Sequence, residues 1–227
     1  MNHYIDLRIR PDPEFPVSQL MGILFTRLHL ALVALKSTDT GISFPDVIQL
    51  DMAAGTDRQK QTLGSRLRLH AEASRLRTVL QHLNRNDLQD YLQISNILPV
   101  PEQAQHCRVS RVIPKSSPER LLRRQMRRHP DEYRSLEDAR QAAIQRLVEE
   151  RGMDLKAASK QVDRIRKCEL PFMSLKSQST GQPFRLFIRH DPPVSQPQAG
   201  SFNSYGLSTS ATIPWFRTLF LEGNEIH

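Results

Sequence analysis

Histidine is the residue type in this chain best suited to take a proton from a hydroxyl group, because its pKa lies near neutrality. The chain has eight histidines. One of them, His29, lies just off an apolar stripe formed by Leu24, Phe25 and Leu28. Spacing alone leaves two interpretations open: His29 is a general base, or it is a structural histidine on the flank of a helix.

The sequence lacks the residues that several other kinds of catalytic site need. A two-metal nuclease requires a cluster of carboxylates, but Asp6, Asp12 and Glu14 are more easily explained as strand-end and loop residues. The two cysteines, Cys107 and Cys168, form no CxxC pair and so indicate neither a zinc knuckle nor a disulfide framework. The sequence also has no glycine-rich phosphate loop. We therefore expect neither a metal ion nor a cofactor.

Positive charge is concentrated between residues 108 and 129. This segment holds eight basic residues and one acidic residue, Glu119, so a net +7 of the chain's +8 lies here. The basic residues are Arg108, Arg111, Lys115, Arg120, Arg123, Arg124, Arg127 and Arg128. The last five would cover one helix face about 140° wide. We expect Leu122 and Met126, on the opposite face, to pack on the body of the protein.

A face of like charges favours a polyanionic partner. Exposed helix faces usually mix the two signs at i,i+4 spacing, whereas the arginines here repel one another. Nucleic acid is therefore favoured over the alternatives, which are a solvated face and an acidic protein partner. A helix of this kind also suits a DNA major groove, so the preference for RNA rests on the fold predicted next.

The first half of the chain predicts a βαββαβ order. Ile5, Leu7 and Ile9 alternate with polar residues, which indicates a half-buried strand, and a long amphipathic helix follows from Val17. A short strand near 42–48, a strand ending at His70, a second helix and extended segments near 91–98 and 107–113 complete the pattern. This order is typical of ferredoxin-like folds and of RNA-recognition modules. We therefore predict an α+β protein with a ferredoxin-like domain at 1–105.

The remainder, 106–227, is predicted as an RNA-binding region. It would contain an arginine-rich helix at 118–129, helices near 136–151 and 155–167 within an inserted segment 130–167, and a β-hairpin region at 170–208. Pro118 suits a first helical turn, and Gly152 suits a helix C-cap. A last strand is expected around Phe202–Leu207.

Composition indicates a folded, basic protein of 227 residues with 25% charged residues. No run of 18 apolar residues is present, so we expect no membrane span. The charged N-terminal stretch lacks the apolar core of a signal peptide. These features, with the low cysteine count, predict a cytoplasmic protein.

Several long strings of residues resemble one known family. They are HYIDLRIRPDPEFP with SQLM, LFTRLH, SRV..KSSPERLLRRQMRRH, LPFMSLKSQSTGQPFRLFIRH, and YGLS followed by PWF. They are similar to the repeat-processing endoribonucleases of type I-F CRISPR systems (Csy-four, or Cas-six-f). The resemblance covers about 1–50, 64–129 and 168–216, and it departs from the family at 130–167 and 217–227.

The resemblance implies an activity. Family members bind the hairpin of the CRISPR repeat transcript, cut at the 3′ base of its stem and remain bound to the guide RNA. The attacking group is the ribose 2′-OH beside the scissile phosphate, which leaves a 2′,3′-cyclic phosphate and a 5′-OH without a metal ion. Other subunits of a type I-F surveillance complex are the further partners implied.

The resemblance also assigns roles to individual residues. His29 matches the catalytic histidine, Tyr205 a tyrosine that orients it, and Ser177 a serine that holds the attacking nucleotide. Ser179 matches a second serine of that region, and Phe184 a phenylalanine that stacks on the terminal base pair of the stem. Arg111 matches an arginine that reads a guanine, and RNA contacts are also expected from Lys115, Arg120, Arg123, Arg124, Arg127 and Arg128.

Two positions depart from the family's pattern. Ile113 stands where a glutamine contacts a second base, so the base pair read there is in doubt. Pro183 stands where a histidine is expected, and no role is assigned to it. Two rival functions also remain: a subunit that binds the hairpin without cleaving it, and a sequence-specific DNA-binding protein.

Overall fold

The computed structural model describes residues 1–47, 62–113, 118–163, 170–177 and 180–217, with only the helical backbone for 118–121. Its elements in chain order are β1 (His3–Ile9), α1 (Val17–Ala34), β2 (Gly41–Ser43), β3 (Arg66–Ala71), α2 (Ala73–His82), β4 (Leu92–Ile94), β5 (Leu98–Pro99), β6 (Gln105–Cys107), β7 (Val109–Val112), α3 (Pro118–Arg128), α4 (Leu136–Arg151), α5 (Leu155–Val162), β8 (Phe172–Lys176), β9 (Pro183–His190) and β10 (Ile213–Trp215).

These elements form two compact units. The first comprises Met1–Val112 and Glu169–His227, and the second comprises Ile113–Cys168. The domain boundary expected between residues 105 and 106 lies within β6. This strand pairs with β10 from near the end of the described chain, so it belongs to the first unit.

The largest sheet of the first unit is built around β1. Strand β3 pairs with one edge of β1 and carries β2 on its outer side, while β4 and β5 pair with the other edge. All of these pairings are antiparallel. The expected mixture of helices and antiparallel sheets, the α+β class, is therefore confirmed.

Both faces of β1 are covered, which differs from the half-buried strand predicted. On the apolar side, Ile5, Leu7 and Ile9 join the main core with residues of α1 and α2. On the polar side, Asp6 is only 3% exposed. It accepts two hydrogen bonds from Arg68, at 2.6 and 2.9 Å. The aromatic ring of Phe216 lies over the Arg68 guanidinium at 4.2 Å, so the last described residues of the chain cover this face.

Helix α1 connects the two sheets that matter for the site. By length and composition it could cross a membrane, but its residues Leu24, Phe25 and Leu28 are at most 1% exposed and belong to the protein core. The helix contacts β1 on the large sheet and β8 on a separate three-stranded sheet. A core helix with an apolar stripe of this kind gives the same composition as a membrane span.

The three-stranded sheet has the order β7-β9-β8, and the β-hairpin predicted from residue 170 onward is confirmed as β8 and β9. The strand expected around Phe202–Leu207 is wrong. The chain turns there instead, with Phe202 and Ser208 joined by a single antiparallel bridge. The last strand of the described chain is β10, which pairs with β6.

The described part of the second unit is helical. The predicted helix end is confirmed at Gly152, the left-handed C-cap of α4 with a φ of 60°, while α5 ends at Val162 and residues 164–167 lie outside the described part. Leu122 and Met126 of α3 pack against a small cluster that includes Tyr133 and Ala139. The apolar side of the arginine-rich helix is therefore covered by 130–167, the segment expected to carry extra helix.

Candidate functional site

His29 lies near the C-terminal end of α1, one turn beyond the buried Phe25. Its neighbours in sequence differ in exposure: Leu28 is fully buried and Leu30 is 39% exposed. The imidazole of His29 is half-buried. The helix thus holds the ring at the edge of the core, where one side packs on protein and a reacting group can reach the other.

A hydrogen bond fixes which nitrogen of His29 is basic. The Nδ1 atom lies 2.7 Å from the carbonyl oxygen of Ser204. Because a carbonyl oxygen only accepts, Nδ1 must carry the proton and donate it. In the neutral ring the lone pair then lies on Nε2. This is the tautomer that a general base needs if Nε2 faces the substrate.

The ring of Tyr205 holds the imidazole plane. The His29 and Tyr205 rings are stacked at 4.0 Å between centroids and 12° between planes. Tyr205 also contacts Phe25. Their ring centroids are 5.9 Å apart and their ring planes differ by only 8°. The structure therefore brings His29 and Tyr205 together, through stacked rings that anchor the imidazole to the core.

A tight turn presents both Ser204 and Tyr205 to α1. The side-chain oxygen of Asn203 accepts hydrogen bonds from the amides of Tyr205, at 2.9 Å, and Leu207, at 3.1 Å. Gly206 adopts a φ of 69°, in the left-handed region that favours glycine. Its carbonyl accepts a 2.8 Å hydrogen bond from Ile42, which ties the turn to β2. Asn203 and Gly206 were missed from the sequence, although asparagine and glycine three residues apart are a turn signal.

Ser177 lies where β8 enters the hairpin loop. Its amide donates to the Gln182 carbonyl at 2.9 Å, and its own carbonyl accepts from the Gly181 amide at 2.8 Å. Its Oγ accepts a 3.3 Å hydrogen bond from the amide of Thr180. These bonds fix the backbone of Ser177 at the mouth of the loop. Ser179 lies outside the described residues.

The hairpin that carries Ser177 is packed against the helix that carries His29. A Cβ added at Gly22 of α1 would lie 3.2 Å from the carbonyl oxygen of Ser174 in β8. Only glycine allows this close approach without a shift of the neighbouring backbone. The contact therefore sets the distance between α1 and the hairpin.

Phe184 and Arg111 lie on the same three-stranded sheet. Phe184 pairs with Leu175 at the loop end of β9 and is half-buried against the main core. Arg111 is an exposed residue of β7, opposite Ile188 of β9. Ile113 is 71% exposed, and Pro183 is the exposed first residue of β9.

The arginines of α3 whose side chains the structure describes are all exposed. They are Arg123, Arg124, Arg127 and Arg128. The Arg120 side chain and Lys115 lie outside the described part of the chain. The predicted separation of a charged and an apolar face on this helix is confirmed for these residues, because Leu122 is buried and Met126 is partly buried.

Two other histidines are buried inside the protein, where they make structural hydrogen bonds. His70 is fully buried and hydrogen-bonded through Nε2 to Ser43 Oγ at 2.8 Å, and burial holds its pKa well below the usual value. Burial lowers the pKa of His190 to about 4. Its Nε2 accepts a hydrogen bond from the Phe44 amide at 3.3 Å. Both side chains are inside the protein and neutral near pH 7.

Comparison with known proteins gives consistent matches over almost the whole chain. A family model described as CRISPR-associated protein (Cas_Csy4) matches residues 4–216. A CRISPR-associated endonuclease Cas6/Csy4 from Pseudomonas aeruginosa (strain UCBPP-PA14) is 45% identical over 216 residues, which cover 95% of this chain and 100% of that protein. A protein of the same name from Escherichia coli (strain UTI89 / UPEC) is 39% identical over 216 residues, with the same coverage.

Proposed function

Because the chain belongs to the Cas_Csy4 family of CRISPR-associated endonucleases, we propose that it binds the hairpin of CRISPR repeat transcripts and cuts at the 3′ base of the stem. In this proposal the ribose 2′-OH is the attacking group, and the enzyme stays bound to the mature guide RNA. The observation that carries the proposal is the 2.7 Å hydrogen bond from His29 to Ser204, since it leaves Nε2 free to act as a base.

The reaction begins with proton transfer to His29. Nε2 takes the proton of the 2′-OH as its oxygen attacks the adjacent phosphorus atom. The bond from phosphorus to the 5′ oxygen breaks, which gives a 2′,3′-cyclic phosphate and, after protonation, a 5′-OH. The imidazolium that forms keeps its Nδ1–H on Ser204 and its plane on Tyr205, so the charge develops in a ring that is already oriented. No step requires a metal ion.

Ser177 is assigned the task of positioning. Its backbone is fixed by the loop hydrogen bonds described above, and its hairpin is packed on α1 at Gly22. A hydroxyl held in this way can fix the ribose of the attacking nucleotide, and in-line geometry contributes strongly to intramolecular attack. Ser179 is proposed for the same region on the family resemblance.

The remaining residues are assigned to recognition. Phe184 at the loop end of β9 would stack on the last base pair of the stem, a contact of about 1–3 kcal/mol. Arg111, exposed on β7, would read one guanine through its two parallel N–H groups. Phosphates of the stem would be bound by Lys115, Arg120, Arg123, Arg124, Arg127 and Arg128. The side chain of Ile113 cannot hydrogen-bond, so it cannot read the neighbouring base pair as glutamine would.

The fold of the first half, the cellular location and the protein partners belong to the same proposal. The βαββαβ order with antiparallel strands in the order β2-β3-β1-β4 supports a ferredoxin-like first half. We further propose that the protein works in the cytoplasm and contacts other subunits of a type I-F complex.

Replacing His29 tests the central assignment. In single-turnover assays with saturating protein and excess EDTA, we expect His29→Ala to slow cleavage by about 10²–10⁴-fold and to bind the hairpin as tightly as wild type. The matched control is His82→Ala, since His82 is also on a helix and bonds a carbonyl through Nδ1, that of Thr78 at 2.9 Å. Wild-type cleavage by His29→Ala, or loss of its hairpin binding, would show the assignment to be wrong.

Two further tests address the proposed mechanism, one with a modified substrate and one with a metal chelator. A hairpin with a 2′-deoxyribose before the scissile phosphate should bind normally and resist cleavage, because the attacking oxygen is absent. EDTA should leave the rate unchanged. Cleavage of the deoxy substrate, or activity that EDTA abolishes and magnesium restores, would exclude the proposed mechanism.

A further inference from the structure

A cavity of about 410 Å³ lies in the helical second unit. It is lined by Arg124, Gln125, Arg128, His129 and Arg146. The first four residues come from α3 and the residue after it, whereas Arg146 comes from α4. Nothing in the sequence singled out Arg146.

The packing of α3 on α4 explains how the arginines meet. Met126 of α3 packs in the same cluster as Ala142 and Ala143 of α4, and these small side chains let the two helices approach closely. Arg146 follows Ala142 and Ala143 by four and three residues, so it lies one turn further along the same side of α4. Its side chain can therefore reach the flank of α3.

Among the residues that the structure describes, the arginines of the cavity have no carboxylate partner. Within the described ranges, no acidic side chain lies within 4.0 Å of the guanidinium groups of Arg124, Arg128 or Arg146. Glu149 and Glu150 follow Arg146 at i+3 and i+4, yet neither forms an ion pair with it.

Another arginine of α4 behaves differently. Arg140 donates to Asp163 at 2.8 and 2.5 Å and to Glu137 at 3.2 Å. It therefore joins α4 to the end of α5 as a structural ion pair. The chain thus neutralises the arginine that connects helices and leaves three guanidinium groups together around an open cavity.

We propose that this cavity is a phosphate subsite, in which Arg146 acts with Arg124 and Arg128 to bind a phosphodiester group of the bound RNA. Guanidinium groups bind phosphate oxygens through pairs of N–H donors. Gln125, whose side-chain amide donates to the Tyr133 hydroxyl at 3.3 Å, also lines the site. The inference rests on the proposed function for the identity of the ligand, and it adds α4 to the RNA-binding surface.

The test compares two arginine variants of the same helix. Arg146→Gln removes a cavity residue, whereas Arg151→Gln removes the same charge from an exposed position at the end of α4 that does not line the cavity. Hairpin affinity is measured between about 50 and 200 mM salt for both variants and wild type. One phosphate contact corresponds to a slope of about 0.9, or roughly a 3.5-fold change in affinity over this range.

We expect Arg146→Gln to flatten the salt slope by about one contact and Arg151→Gln to match wild type. The single-turnover cleavage rate at saturating protein should be unchanged in Arg151→Gln, which lies outside the cavity. Equal slopes for the two variants would overturn the proposal, since Arg146 would then be an ordinary surface charge.

A wild-type protein that does not bind the hairpin would overturn the proposed function instead. The cavity would then be judged with inorganic pyrophosphate, by following the Nε–Hε NMR signals of the arginines. Joint shifts of the Arg124, Arg128 and Arg146 signals in wild type, with the Arg124 and Arg128 shifts absent in Arg146→Gln, would support an anion subsite. No shift in wild type would exclude it.

Discussion

Replacing Asn203 should show how much the orientation of His29, the proposed base, contributes to cleavage. Asn203→Ala removes the acceptor of two amide hydrogen bonds, those of Tyr205 and Leu207. At about 1 kcal/mol each, their loss would destabilise the turn by about 2 kcal/mol. That corresponds to a shift of roughly 30-fold toward an open turn.

The expected effect on catalysis follows from the turn's two contacts with His29. An open turn withdraws the Ser204 carbonyl from Nδ1 and the Tyr205 ring from the imidazole, so His29 also populates the tautomer with the proton on Nε2. We expect the saturated cleavage rate of Asn203→Ala to fall by up to about 30-fold, less than for His29→Ala, with hairpin affinity unchanged.

Kinetics and NMR together test this reasoning. Imidazole ¹⁵N shifts should show a protonated Nδ1 in wild type and mixed tautomers in Asn203→Ala. Asn203→Asp keeps the side-chain acceptor and should retain the wild-type tautomer. A variant Asn203→Ala with wild-type rate and tautomer would refute the claim that this turn sets the base.

Three further predictions concern stability and affinity. Asp6→Ala leaves the Arg68 guanidinium, 1% exposed, without its carboxylate and should lower the free energy of unfolding by about 3–5 kcal/mol. Asp39→Ala, which removes the exposed pair with Arg75, should cost less than about 1 kcal/mol in the same urea titrations, and similar losses would contradict the argument. His190 has a folded pKa of about 4, lowered by burial. The unfolded state therefore binds its proton first as pH falls below about 6.5. Stability should drop between about pH 6.5 and 4 by roughly 3 kcal/mol from this group, and the drop should be smaller in His190→Gln. Arg124→Ala with Arg127→Ala should flatten the salt slope of hairpin binding by roughly one unit for each phosphate that is no longer bound, and an unchanged slope would mean that these side chains face solvent.

Local sequence patterns predicted the parts of the fold that local forces determine. The C-terminal end of α4 follows from Gly152, and the β8–β9 hairpin follows from two apolar runs around a glycine-containing turn. The pairing of β6 with β10 was not predicted. Each strand has three residues, and they lie about a hundred positions apart in the chain, so neither carries a pattern that identifies its partner.

The burial of Asp6 could not be predicted for a similar reason. An acidic residue in an alternating strand normally faces water. The alternating pattern did not indicate that other residues would bury the polar face of β1. The cover is Arg68 from β3 together with Phe216 from near the end of the described chain. The same limit produced the wrong strand at 202–207, where apolar residues suggested extension while Asn203 and Gly206 determined a turn.

The histidine proposed as the base shows the same dependence on distant residues. His29 was identified by the string around it, yet the atom that selects its tautomer belongs to Ser204, 175 positions away. That atom is in place only when the segment after residue 200 has docked. The docking depends on Gly41, where an added Cβ would lie 2.9 Å from Phe202 and closer still to Ile213. Because the core residues of α1 do not need this segment to form the helix, a histidine on an intact α1 is not yet the proposed base. The proposed base function of His29 therefore depends on these tertiary contacts, and it should be lost when the C-terminal turn unfolds locally.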